Sequence, residues 1–127
     1  MSRCASCETK HERPAPHAYL TKEYYDVLIK ALSHVAYRHG YALTTHGSLG
    51  FDIDLVACPW RDGCVSAESV AEALRATCEM IIGTAMYRNE DQPTKKPCGR
   101  LAWTFYLVHE PMLGPYIDLS VMPKGPE

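Results

Sequence analysis

The chain contains no run of about 18 apolar residues, which excludes a helix built to cross a bilayer. Its first residues, Met1 to Pro16, are polar and lack the apolar core of a secretory signal. A cytoplasmic protein with no membrane partner is therefore expected. An excess of one charge is missing too. The formal net charge of −2 leaves no broad basic surface to attract duplex nucleic acid or an anionic membrane. No internal repeat and no low-complexity segment is present. At 127 residues the chain is long enough for one core and too short for two. Its 6 cysteines come without a secretory context, so free thiols are expected, some of them acting as small buried hydrophobes.

Residues 1–19 read as an irregular arm, because Arg13-Pro14-Ala15-Pro16 cannot lie inside a helix. Residues 20–127 read as a single domain. Thr21 suits a helix N-cap, with Leu20 and Tyr25 at the spacing of a hydrophobic staple. Tyr25, Leu28, Leu32 and Val35 then follow at helical spacing, and Gly40 suits a left-handed stop. Tyr41 to Thr45 is a short strand and His46 to Gly50 a turn. From Phe51 to Ala57 the residues alternate, with Phe51, Ile53 and Leu55 on one face and Asp52 and Asp54 on the other. Ser66 caps a second helix carrying Val70, Leu74, Cys78 and Ile81, which Gly83 ends. Residues 88–100 read as a polar loop. Two strands close the chain: Leu101 to Val108, with Leu101, Trp103, Phe105 and Leu107 together, and Tyr116 to Met122, with Ile117, Leu119 and Val121 inward. The expected fold class is α/β (α+β), with two helices packed on a small mixed sheet.

Asp is a poor strand former, so two of them on one strand face need a reason. Neighbouring carboxylates repel unless a cation lies between them, and hard cations such as Mg²⁺ or Mn²⁺ prefer oxygen ligands. Asp118 has the same apolar-Asp-apolar setting in Ile117-Asp118-Leu119. If the two strands are neighbours, three carboxylates converge. Just upstream, Gly47 lets a phosphate approach backbone amides, and the Ser48 hydroxyl adds a donor.

A helix, then Gly47-Ser48, then Asp52-Ile53-Asp54 on a strand, then Asp118 on a later strand resembles the polymerase-β-like nucleotidyltransferase superfamily. The segments His46 to Leu49, Asp52 to Leu55, Pro59-Trp60, Lys96 to Arg100 and Ile117 to Ser120 also resemble short phage-encoded proteins of that general type. Only Leu49, Gly50 and Phe51 separate the Gly-Ser pair from Asp52, so the motif is compressed and the core reduced. The resemblance implies a minimal nucleotidyltransferase-like core in the cytoplasm, or in the host cytoplasm for a phage product. Asp52, Asp54 and Asp118 would hold Mg²⁺ or Mn²⁺ and carry catalysis. His46, Gly47, Ser48, Trp60, Lys96 and Arg100 would hold a nucleotide and its phosphates. The implied reaction is nucleotidyl transfer or phosphodiester cleavage. The phage resemblance, together with the compressed motif, also implies an anti-defence protein that sequesters or cleaves a cyclic-nucleotide immune signal; a third reading is a non-catalytic virion or assembly protein with a borrowed fold. A homodimer is a reasonable expectation for one small domain around a ligand.

Other signals have plainer readings beside the functional one. Trp60 stacks a base or packs at the rim of the core. Lys95, Lys96 and Arg100, with Arg61 behind them, bind phosphate or simply face solvent. His46 orients a phosphate or sits hydrogen-bonded in a turn, and His34, His39 and His109 suit structural or exposed positions. Cys4, Cys7, His11 and His17 supply zinc-type ligands at a spacing that matches no standard finger.

Overall fold

Helical periodicity runs unbroken from Lys22 until Gly40. The computed structural model, which describes residues 22–46, 52–88, 92–107 and 115–124, turns it into helix α1, Lys22–Arg38. Its innermost line is Leu28, Leu32 and Ala36, with Tyr25, Ile29 and Val35 packed around them. The stripe thus turns one position toward Ala36, whose small side chain is wholly buried, and Val35 moves to the flank. Gly40 adopts φ 93°, the left-handed stop expected of it. The Thr21 cap, the Gly47–Ser48 turn, His109 and the Cys4, Cys7, His11, His17 group lie outside the described residues.

Beyond Gly40, β1 (Tyr41–His46) pairs antiparallel with β2 (Asp52–Pro59), in register from Tyr41 beside Pro59 to His46 beside Asp54. Helix α2 spans Ala67–Ile82. The Ser66 side chain accepts the Ser69 backbone N–H at 3.1 Å, and Gly83 ends the helix at φ 107° with its N–H on the Glu79 carbonyl. Ser66→Ala is expected to cost about 1 kcal/mol, which lowers the melting temperature by a few degrees, while Ser66→Asp should restore it. Equal melting of the Ala variant and wild type would show that the cap contributes nothing.

The remaining strands are β3 (Met86–Tyr87), β4 (Thr94–Lys95), β5 (Leu101–Tyr106) and β6 (Tyr116–Val121). They complete a six-stranded sheet of order β1-β2-β6-β5-β3, with β4 also on β5. Only β2 and β6 run parallel; the other pairs are antiparallel. The sheet is mixed and the class α+β, as expected. The polar stretch 88–100 departs from its reading as a loop. Thr94 and Lys95 pair with Ala102 and Leu101, and Pro97–Gly99 forms a short 3₁₀ turn. Two residues are too few to show a period, so β3 and β4 exist only because the edge of β5 is there to pair with.

Both helices cover one face. Ile53, Leu55 and Ala57 of β2, Ile117, Leu119 and Val121 of β6, and Trp103 and Phe105 of β5 join the helical residues in one buried cluster. Cys64 and Cys78 are free and buried within it, and Cys58 and Cys98 are free and exposed. Burial pushes the Cys78 thiol up to about 12, so it packs as an inert hydrophobe. Among the described residues no helix is long and apolar enough to cross a membrane.

Candidate metal centre

Strand alternation that sends Ile53 and Leu55 into the core must send Asp52 and Asp54 to the opposite face. The sheet pairing then decides their neighbours. Asp54 stands beside Asp118 across the parallel β2–β6 ladder, His46 beside Asp54 on β1, and Thr104 beside Asp118 on β5. One row, His46, Asp54, Asp118, Thr104, therefore crosses four strands. Asp52 lies one row away, beside Tyr116. Each of Asp52, Asp54 and Asp118 offers a carboxylate oxygen, and these oxygens all lie within 4.8 Å of one another. This bears out the expected convergence of the three carboxylates.

All three are half-buried, so solvent screens them only in part. Two unit charges at about 5 Å repel by ~3 kcal/mol at an effective dielectric of ~20, and three carboxylates make three such pairs. Thr104 Oγ1 donates to Asp118 Oδ1 at 2.8 Å, but one hydrogen bond to a charged group returns only ~1.5–3 kcal/mol. A proton or a cation placed among them would relieve the remaining repulsion. Burial first, then the charges of Asp52 and Asp118 and a hydrogen bond with Asp118, raise the Asp54 carboxyl above its ordinary value, and His46 pulls it back in part. The same field, acting after burial, raises the Tyr116 phenol. The donor set is all oxygen, in an open arrangement of hard ligands that can hold a divalent metal ion.

A cleft of about 560 Å³ opens beside the row. His46, Asp54, Asp118 and Thr104 line it, together with Arg88, Gln92, Thr94, Lys96, Arg100 and Ser120. Lys96 and Arg100, both singled out in the sequence, thus share one cleft with the acids. Lys95 does not line it, because alternation along β4 turns Thr94 and Lys96 toward the cleft and Lys95 away. Arg100 Nη1 donates to Ser120 Oγ at 3.1 Å, which holds the guanidinium over β6, two residues beyond Asp118.

The fold does not bring Trp60 to this cleft. It follows Pro59, at the far end of β2 from Asp52, and stacks on Tyr37 with ring centroids 4.8 Å apart at 17°. The Arg61 guanidinium lies 5.3 Å from the Trp60 ring centroid and donates to the Arg38 carbonyl. Trp60 and Arg61 therefore close the junction of α1 and β2, a packing role open to an indole that emerges beside a helix end. Gly47 and Ser48, the remaining phosphate candidates, lie outside the described residues. His34 is exposed on α1, and His39 Nδ1 lies 2.8 Å from the Val35 carbonyl.

Sequence reasoning missed Arg88, Gln92 and Thr104. Arg88 and Gln92 lie where no periodicity speaks. Thr104 had a signal: it is the polar residue between inward Trp103 and Phe105, but nothing local says that β5 lies against β6. A scan against models of protein families matches none of them, and a search of curated proteins finds no significant match.

Proposed function

We propose that this is a cytoplasmic protein that uses Mg²⁺ or Mn²⁺ to act on nucleotide phosphates, by nucleotidyl transfer or phosphodiester cleavage. One observation carries the reading: of three converging carboxylates, Asp54 and Asp118 line a cleft that Arg88, Lys96 and Arg100 line as well. Acids alone would repel a phosphate, and cations alone would bind it without chemistry. The two together suit a phosphate with a divalent ion between it and the acids.

In this reading Asp52 and Asp54 hold the ion and Asp118 completes its ligands. When bound, the ion neutralises charge on phosphate oxygens and acidifies a coordinated water or hydroxyl. Asp118 keeps one oxygen on Thr104 and has its other for the ion or for the proton of an attacking hydroxyl or water. Arg100 offers two parallel N–H donors to phosphate oxygens, and Lys96 adds a mobile point charge. His46, exposed at the end of the row, orients the phosphate from the β1 side. A homodimer closing the open side of the cleft belongs to the same proposal.

The test is a thermal-shift screen of nucleoside triphosphates and cyclic di- and trinucleotides, with and without Mg²⁺ or Mn²⁺, followed by chromatography of each stabilising ligand. A ligand at about 100 times its Kd stabilises by ~2.7 kcal/mol, which a melting curve resolves easily. Metal-dependent stabilisation with product formation is expected. A stabilising ligand recovered intact would make the protein a sequestering module instead, and the absence of any shift would remove the nucleotide reading.

A further inference from the structure

Thr104 is buried, 7% exposed, and it lies at the junction of three strands. Its hydroxyl donates to Asp118 Oδ1 at 2.8 Å. Its backbone is held from the other side. The Arg88 N–H donates to the Thr104 carbonyl at 2.9 Å, and the Thr104 N–H donates to Gln92 Oε1 at 3.2 Å. The second bond has a topological cause. On the outer edge of β5, β3 pairs with Phe105 and Tyr106 and β4 with Leu101 and Ala102, so the ladder is open between them. The Gln92 side-chain carbonyl stands in for the missing strand at Thr104.

A threonine hydroxyl carries one proton, and here that proton goes to Asp118. Asp118 Oδ1 is thereby fixed toward β5, which fixes the second oxygen of a planar carboxylate as well. On β2 stand Asp54, directly across the ladder, and Asp52. We propose that Thr104 is a positioning residue, held in turn by Gln92, whose hydroxyl orients Asp118 for divalent-cation binding. This rests on the reading of the acidic cluster as a metal centre and adds to it a residue that acts through Asp118. Partners that orient a metal ligand typically contribute ~10–100-fold in metal affinity.

The experiment titrates Mn²⁺ into the full chain by calorimetry and records metal-free melting for each variant. Thr104→Val keeps the shape and removes the hydroxyl; Thr104→Ala removes the hydroxyl and leaves extra room; Thr104→Ser keeps the hydroxyl. Val and Ala variants should both bind Mn²⁺ at least tenfold more weakly, the Ser variant within about threefold of wild type, and Gln92→Ala in between. A purely structural role would make affinity follow melting temperature across the series, not the hydroxyl, and would overturn the proposal. So would Val and Ala variants that bind as tightly as wild type. If wild type itself takes up no Mn²⁺, the metal reading falls and this inference with it; if wild type binds and the series is flat, the inference alone falls.

Discussion

Asp54→Asn is expected to abolish Mn²⁺ binding and, in the same protein without metal, to raise the melting temperature. Losing an outer partner costs ~10–100-fold in affinity, so losing a direct ligand should cost at least ~100-fold. Turnover that depends on the metal should fall by ~10²–10³ or more, as it does when one group that stabilises developing charge is removed. The gain in stability has the opposite cause. Asp54 sits beside Asp118 and two residues from Asp52, and its pKa is raised by burial and then by those two charges. A raised folded-state pKa means that the folded chain binds the proton more tightly than the unfolded one. The contribution is fully present below the ordinary value of 3.8 and is lost as pH rises through the folded-state pKa. Metal-free wild type should therefore lose stability on going from pH 4 toward neutrality in that window, whereas Asn, of nearly the same shape and uncharged, removes this part of the slope. Melting curves in chelator at several pH values, with and without added Mn²⁺, test both signs at once. An Asn variant that melts no higher than wild type at neutral pH without metal would show that the carboxylates are already neutralised within the protein.

Gly40→Ala should be among the most destabilising single-methyl changes in this chain. Gly40 has φ 93°, and a Cβ there would lie 2.5 Å from both the Cα and the Cβ of Cys64 and 3.0 Å from Arg61 Nε. Left-handed geometry costs a residue with a Cβ ~1–2 kcal/mol, and forcing a methyl against a packed backbone adds ~1–3 kcal/mol. The position has no slack. Its carbonyl accepts the Trp60 N–H, its own N–H reaches the Tyr37 carbonyl, and the neighbouring His39 carbonyl accepts from Val65. α1, the end of β2 and the entry to α2 are thus tied within three residues. A total of ~2–5 kcal/mol is a large share of the ~5–15 kcal/mol available to such a domain. Gly83→Ala is the internal control. Gly83 has φ 107° but nothing within 4 Å of the added Cβ, so it should show the ~1–2 kcal/mol of backbone strain and no more. Urea unfolding of the two variants separates the terms. Equal losses would mean that the approach of Cys64 relaxes without cost.

Gly40 also marks how far the chain can be read without its fold. The stop was legible, because Arg38-His39-Gly40 ends a helical pattern in the usual way. The contact with Cys64 was not, since it depends on where the loop after β2 returns. The acidic cluster divides similarly. Period-two alternation put Asp52 and Asp54 on one face, and the pattern around Asp118 marked it as their match. Trp60 was open to base stacking or to packing at the rim of the core, and its stacking on Tyr37, on a different element, fits the second. Thr104 and Gln92 carried no signal strong enough to be chosen.

Local order alone thus determined the two helices, the stop of the first and both ends of the second, the long strands and the face on which most of their side chains fall. Those features come from contacts within a few residues, and a repeat of two or 3.6 records them in the order of residues. The fold decided which strands are neighbours and in what register. β2 and β6 are far apart in sequence, and their pairing is selected by the energy of burying both apolar faces against α1 and α2, a quantity that no short segment contains. That choice, more than any single residue, puts Asp118 beside Asp54 and Thr104 behind Asp118.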